Sequence, residues 1–375
     1  MKFTVERDIL SEAVSWAARS LSPRPPAPVL SGLHITAEGQ TVTISSFDHE
    51  ISAQLHIEAD VAESGTVVVS GRLLNDIVKS LPAAAVTVEL DESKVRVTCK
   101  SSKFTLATMP VDEYPDLPEM PQLAGTIDGA AFSRAVAQVI TAASRDDTLP
   151  ILTGVKIELE GDTMTFLATD RYRLAMREIT WTPAQPDIST SLLIKAKTLN
   201  DVAKSLGGAG ELSLSLAENT ELVGFASGGR RTTSVLVDGE YPKIRQLFPE
   251  ETPIHAVVNT QELIEAARRV SLVSERNGHV RLQFTEDNSV SLDAGVDDAA
   301  SASEVIPAQL TGEAITVGFN PSYLNEGLNV IDTEHLRFSF VSAPKPAMIT
   351  GQRDADGQNT TDFRYLLMPV RLLNS

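Results

Sequence analysis

Apolar residues recur at helical spacing six times along this 375-residue chain, and between those stretches they alternate or run in short blocks. From Asp8 to Ser20, the residues Ile9, Ala13, Trp16 and Ala17, with Val14, share one helical face. Arg72–Leu81 does the same with Leu73, Leu74, Ile77, Val78 and Leu81, and Pro82 closes it. Further helices are predicted near Ala130–Ser144, Lys197–Leu206, Thr260–Val273 and Pro321–Val330. Strands are predicted at Val29–Ala37, Thr41–Ser46, Ile51–Ala59, Thr66–Ser70, Val86–Leu90, Lys94–Cys99 and Lys103–Thr108, punctuated by Gly39 and Gly65.

The pattern repeats. Shifted by 122 positions, Pro28, Leu30, Gly32, Ile35, Gly39 and Asp48 meet Pro150, Leu152, Gly154, Ile157, Gly161 and Asp170. Leu74–Leu81 (LNDIVKSL) returns as Leu199–Leu206 (LNDVAKSL), and more faintly at Leu324-Asn325-Glu326. The Pro-rich junction Glu113-Tyr114-Pro115 returns as Glu240-Tyr241-Pro242. Three tandem modules are therefore expected, over residues 1–121, 122–250 and 251–375. Each reads as helix, four strands, helix, then strands. That order predicts an α+β domain in which two helices pack on antiparallel sheets.

Composition narrows the class. Apolar content of 42% is that of an ordinary globular chain, and no run approaches the length of a membrane span. The start, Met1-Lys-Phe-Thr-Val-Glu-Arg-Asp8, has no apolar leader. A lone cysteine, Cys99, lies in a strand-like run and is expected to pack as a small hydrophobe in a reducing cytoplasm. No Gly-Lys dipeptide exists, so a phosphate loop of the Walker type is excluded. The six histidines never fall at metal-ligand spacing, and no metal or cofactor is expected. Gly207–Gly210, Asp354–Gly357 and Asp146-Asp147 read as turns. One polar cluster sits inside a well-patterned core, Thr169-Asp170-Arg171-Tyr172-Arg173, and two readings of it stay open: a turn held by Asp170, or a binding site.

The triplicated module, the A-T-D-R-Y-R-L-A block from Ala168 to Ala175, the Y-P…L-F-P junction and the terminal Tyr365-Leu-Leu-Met-Pro-Val-Arg-Leu372 resemble the sliding clamps of bacterial DNA polymerase III, along the whole chain. The resemblance implies a non-catalytic processivity factor: a head-to-tail homodimeric ring of six modules, with helices lining a hole for duplex DNA. It implies docking of the polymerase III alpha subunit, the clamp loader and other polymerases or repair proteins through short apolar peptides. The net charge of −18 opposes nucleic-acid binding at first sight, yet the six predicted helices with their flanks sum to +3.

Carried over by position, Arg24 and Arg72 become DNA contacts, and Lys79, Arg134, Arg145, Lys197 and Lys204 join them as cations on the helices. Leu149-Pro150-Ile151 departs from the family, which often has DNA-touching aromatics there. The partner groove is expected from Leu152, Thr169, Arg171, Tyr172, Arg173, Leu174, Pro242, Leu247, Leu366, Met368, Pro369 and Val370, with inter-domain core as the competing reading. Gln246 replaces a frequent arginine at its rim. Ring closure is expected from Lys103, Phe104 and Leu106 against Leu272, Val273, Asp297, Asp298 and Glu304. Two other classes stay open: a protein-binding scaffold without DNA, and an enzyme centred on Asp170–Arg173.

Overall fold

The computed structural model describes residues 1–208, 210–218, 221–274, 278–295 and 300–372. Its elements repeat three times in one order. Module one runs β1 (Lys2–Glu6), α1 (Arg7–Ala17), β2 (Gly32–Glu38), β3 (Thr41–Phe47), β4 (Ile51–Glu58), β5 (Asp60–Glu63), β6 (Gly65–Ser70), α2 (Gly71–Ser80), β7 (Ala85–Asp91), β8 (Lys94–Cys99) and β9 (Ser102–Met109). Module two runs β10 (Gln122–Asp128), α3 (Gly129–Val139), β11 (Gly154–Glu160), β12 (Thr163–Thr169), β13 (Arg173–Thr180), β14 (Thr182–Pro183), β15 (Ser189–Lys195), α4 (Ala196–Leu206), β16 (Glu211–Leu216), β17 (Leu222–Ser227) and β18 (Arg230–Val235). Module three runs β19 (Ile254–Asn259), α5 (Thr260–Val270), β20 (Val280–Thr285), β21 (Ser289–Ala294), β22 (Ala302–Pro307), β23 (Gln309–Thr311), β24 (Ile315–Phe319), α6 (Pro321–Leu328), β25 (His335–Phe340), β26 (Ala347–Gln352) and β27 (Asn359–Leu367).

The α+β class and three-fold duplication are as the hydrophobic pattern predicts. The count per module differs from it. A leading strand precedes each first helix, and a short extra strand follows the fourth strand of the module. These two pair with each other in module one, β1 with β5, as an outer sheet edge, and are too short or too polar to announce themselves. The expected strand at Val29–Ala37 begins only at Gly32, because Pro28–Ser31 forms a 3-10 turn with proline at its start. Two residues assigned to apolar stripes face out instead, Ile9 (46% exposed) and Leu73 (50% exposed). Leu10 and Leu74 bury the next positions round the helix.

Two compact units share these elements. Unit one holds residues Met1–Ala130, Thr182–Gln185 and Asp201–Leu236. Its strands form one sheet, in the order β14-β10-β16-β17-β18-β4-β3-β2-β6-β9-β8-β7-β1-β5. Unit two holds Ala131–Trp181, Pro186–Asn200 and Val237–Ser375. It has a sheet in the order β15-β11-β12-β13-β27-β26-β25-β19-β23 and a smaller one in the order β22-β21-β20-β24. One rule generates both orders. The last strand of a module adds antiparallel to the fourth strand of the module before it: β18 to β4 through Thr233↔Ser52 and its neighbours, β27 to β13 through Leu366↔Leu174.

The repeated residues have identifiable backbone jobs. Gly32 and Gly154 lie where an added Cβ would meet Val68 Cγ1 at 2.4 Å and Leu193 Cδ1 at 2.7 Å. Gly39 and Gly161 turn their hairpins at φ +62° and +56°. Asp48 and Asp170 each accept two backbone N–H groups, from Glu50 and Ile51 in one module and from Tyr172 and Arg173 in the other. The asparagine of the repeated Leu-Asn pair ties the second helix to the first: Ser15 Oγ donates to Asn75 Oδ1 at 2.8 Å, and Asn325 Nδ2 donates to Ser271 Oγ at 3.0 Å. The preceding leucines, Leu74, Leu199 and Leu324, are buried.

Module three buries an aromatic core, with Phe284 of β20 at 5.4 Å and 5.5 Å from Phe338 and Phe340 of β25. On α6, Gly327 lies flat on Tyr365, whose ring would come within 2.3 Å of a Cβ added there. Gly327→Ala is therefore expected to overpack this contact and lower stability by about 1–3 kcal/mol, despite alanine's better helix propensity. Chemical denaturation measures it. An alanine variant as stable as the parent would mean that α6 rides free of β27.

Candidate functional site

The polar cluster at Asp170–Arg173 is a turn, and its arginine is a latch. Arg171 sits at φ 79°, the same left-handed position that its repeat mate His49 takes at φ 72°. Thr169 Oγ1 donates to the carbonyl of Arg173 at 2.8 Å, and the Tyr241 hydroxyl accepts the N–H of Thr169 at 3.0 Å. The Arg173 side chain is buried (2% exposed) and held by several partners. Its Nε donates to Asp170 Oδ2 at 3.0 Å, its Nη1 to Glu326 Oε2 at 2.6 Å, and its guanidinium stacks 4.3 Å above the Tyr323 ring. Burial works against its charge, but Tyr365 and Glu326 outweigh it and hold the guanidinium above its ordinary pKa. Burial pushes the Tyr241 and Tyr365 hydroxyls up, so both stay neutral donors or acceptors across the physiological range.

An apolar cluster lies beside this latch, within unit two. Leu152, Leu167, Leu174, Met176, Leu193, Tyr241, Ile244, Phe248 and Leu366 are buried together, and Met348 and Ile151 pack against them. Around that floor stand exposed residues: Tyr172, Pro242, Leu247, Met368 and Val370. The terminal segment is tied down by the N–H of Met368 to the carbonyl of Tyr172 (2.9 Å) and of Val370 to that of Gly318 (2.8 Å). Exposed apolar side chains beside a buried apolar cluster suit a short peptide carrying large apolar side chains.

The cations fall into two groups. Arg24, Arg72, Lys79, Lys197 and Lys204 are exposed and make no ion pair with any described residue. Arg134 is paired with Asp332 at 3.6 Å and Arg145 with Glu326 at 3.0 Å. Among the described residues, β9 and β22 each keep an open edge. β9 pairs with β8 along its length but with β6 only at Met109 and Thr108, and β22 pairs with β21 alone.

Family models of the DNA polymerase III beta subunit match the chain in three consecutive pieces: the N-terminal domain over residues 1–118, the central domain over 126–243 and the C-terminal domain over 245–371. The chain belongs to the DNA polymerase III beta subunit family. Curated relatives named beta sliding clamp agree. One from Micrococcus luteus is 71% identical over 83% of this chain and 100% of its own length. Another, from Streptomyces coelicolor, is 50% identical over 99% of this chain and 100% of its own. The crystal structure of the DNA polymerase sliding clamp from Bacillus subtilis superposes with TM-score 0.92 at 29% identity, covering 100% of both chains. A Pseudomonas aeruginosa sliding clamp bound to griselimycin gives 0.91 at 28%, over 99% of this chain and 100% of that one.

As a beta subunit, this protein is a sliding clamp for DNA polymerase III and a non-catalytic processivity factor. The enzyme reading of Asp170–Arg173 falls, since the family carries no catalysis and the Asp170 and Arg173 side chains are engaged in holding the turn. Among the described residues no group of His, Cys, Asp and Glu could hold a metal, and no helix is long and apolar enough to cross a membrane.

Several expected site residues are placed differently from their expected role. Arg173 is not placed as a rim cation, because it is buried and paired with Asp170 and Glu326; of the two arginines only Arg171 stays exposed. Leu152, Thr169, Leu174 and Leu366 are buried as floor, while Pro369 is half-buried. Of the residues assigned to the groove, some are therefore interior and others are exposed beside them. Leu106 (2% exposed) faces its own module's core, with Phe104 half-buried on the same face of β9 and Lys103 exposed on the other. Leu272 is 81% exposed and Val273 half-buried. Glu304 already takes two bonds from Arg269, at 3.0 and 2.5 Å. Asp297 and Asp298 lie outside the described residues.

The sequence reading passed over Tyr241, Ile244 and Phe248 of the floor, and Glu326, Tyr323 and Tyr365 of the latch. Signals existed for two of them: Tyr241 repeats Tyr114, and Glu326 occupies the acidic place of the Leu-Asn-Asp repeat. Replacing Arg173 by leucine would leave Asp170 without its cation and Glu326 with only the exposed Arg145. That is expected to cost about 3–5 kcal/mol, as for other half-broken buried pairs, and to lower the melting temperature. The double variant Arg173→Leu with Glu326→Leu should recover part of the loss. A single variant that melts like the parent would show the latch to be dispensable.

Proposed function

We propose that two copies of this chain pair head to tail into a ring that encircles duplex DNA without reading its sequence. The polymerase III alpha subunit, the clamp loader and other polymerases or repair proteins then dock at the apolar pocket through short peptides, in the cytoplasm where the chromosome is replicated. The observation that carries the ring is the strand rule. Two module junctions are made by adding a last strand to a preceding fourth strand, β18 to β4 and β27 to β13. Applied once more, the rule pairs β9 of one copy with β22 of another, and among the described residues each of these strands keeps an open outer edge. Open edges invite such pairing, and a pairing of unlike edges is heterologous, closing into a ring when the rotation allows. Lys103 on β9 and the exposed Leu272 flank the proposed contact.

Leu272→Asp is expected to place an unpaired charge in that interface. The parent should sediment as a dimer at micromolar concentration and, once loaded, stay on closed circular DNA and leave when the circle is cut. The variant should sediment as a monomer and be retained on neither form. A dimeric variant, or a parent retained equally on linear DNA, would sink the ring assignment.

For the DNA, the grip falls to cations that no acid among the described residues has neutralised, namely Arg24, Arg72, Lys79, Lys197 and Lys204. Arg134 and Arg145 must first leave Asp332 and Glu326, so their share is smaller. Arg24→Ala and Arg72→Ala are each expected to weaken binding equally across sequences and to shallow the log–log salt slope by roughly 0.9. Arg134→Ala should change it less. Titration of direct DNA binding against salt reads this out, and an unchanged slope for Arg72→Ala would remove that residue from the interface.

A further inference from the structure

A groove of about 1260 Å³ lies beneath the segment 242–250, across the nine-stranded sheet of unit two. Its floor includes Leu167, Ile244, Phe248 and Met348, the same side chains that build the apolar pocket, so the two are continuous. Its rim carries Lys243, Arg337 and Arg364. Other cations nearby are already spent: Arg245 donates to Thr165 Oγ1 at 3.0 Å and Glu178 Oε1 at 3.2 Å, and Lys156 holds Glu158 at 2.8 Å. Lys243, Arg337 and Arg364 make no ion pair with a described residue, and the buried Nε of Arg337 has no hydrogen-bond partner. Arg364 Nε donates to the carbonyl of Thr361 at 3.0 Å, leaving the rest of its guanidinium open. Burial pulls the pKa of Arg337 down, the expected strain on a cation without a counter-ion. In a chain of net charge −18, three cations gathered around an apolar floor with only Glu250 as an unpaired acid are out of character.

We propose that this groove binds an acidic peptide segment, the flank of a partner whose apolar anchor sits in the adjoining pocket. The proposal rests on the pocket's reading as a peptide site. Carboxylates match the guanidinium forks of Arg337 and Arg364, and the apolar floor accommodates the backbone and stems between them. A single nucleic-acid strand fits less well, because it would need aromatic faces for its bases and Phe248, largely buried, is the one aromatic side chain in the described lining.

The test is fluorescence anisotropy on the full chain with labelled synthetic peptides sharing one leucine–phenylalanine anchor. One peptide carries a neutral Gly-Ser flank; two others carry four glutamates, before or after the anchor. One acidic peptide is expected to bind about tenfold tighter than the neutral one at low salt, with the gain fading as salt rises. Arg337→Gln combined with Arg364→Gln should bring it down to the neutral peptide's affinity, leaving the neutral peptide and the melting temperature unchanged. The corresponding double lysine variant should keep much of the gain. Equal binding of all three peptides overturns the groove while sparing the pocket. Failure of every peptide to bind overturns the pocket reading and this proposal with it. Displacement of the acidic peptide by oligothymidylate as readily as by unlabelled acidic peptide makes the groove a nucleic-acid site and also overturns it.

Discussion

Backbone hydrogen bonding at strand edges organises this molecule. A β-sheet ends in rows of N–H and C=O groups that must find water or a partner. Here the fourth strand of a module would be an exposed edge, and the last strand of the following module covers it, at Ser52↔Thr233 and at Leu174↔Leu366. The central module accordingly gives β10, β16, β17 and β18 to one extended sheet and β11, β12, β13 and β15 to another. Module boundaries drawn along the sequence and compact units drawn in space therefore differ, and the reason is this strand exchange. The same constraint leaves an open edge on β9 and on β22, the strands that continue the exchange, and a second copy would have something to satisfy there.

The second junction also carries the pocket. Pairing β27 with β13 sets Tyr365 against Gly327 and brings Arg173 to Glu326, so the buried arginine spans two modules' worth of sequence. A buried ion pair adds little to stability compared with an apolar replacement, but breaking half of it is costly, which makes it a device for holding one geometry. The geometry held is the turn that carries Arg171 and Tyr172 and whose carbonyl anchors Met368. A surface that receives peptides gains from such preorganisation, since ordering it on binding would subtract from affinity.

Electrostatics follow the same division of labour. The acidic total keeps the protein away from nucleic acid in general, while unpaired cations on α2 and α4 remain available. In module three the positions of Arg72 and Lys197 and of Lys79 and Lys204 are taken by Ser322 and Asn329, and on α5 Arg269 is neutralised by Glu304 and Glu265. A grip spread over few phosphates is weak and salt-sensitive, and a clamp that slides has no use for a strong one.

The three-fold repeat, the α+β class, most helix and strand positions and the buried state of Cys99 were legible in the chain alone, because they depend on local periodicity and on residues with backbone duties. Gly39, Asp48 and their copies recur since a left-handed φ or an Asx turn admits few residue types. The family resemblance, read from the Asp170 block and the terminal motif, also drew attention to segments that the fold brings together at Met368 and Tyr172. What each side chain does there was not legible. Arg173 and Arg171 are two residues apart and chemically alike, yet one is sealed into the core and the other faces water. Leu106 and Leu272 are both leucines assigned to one interface, and the first is interior. Those outcomes turn on partners 153 residues away, as with Glu326, or on which face of a strand a neighbouring module covers. Local pattern determines the elements and their repetition; only the tertiary pairing decides which charges are neutralised, which apolar side chains stay exposed and which strand edges remain open.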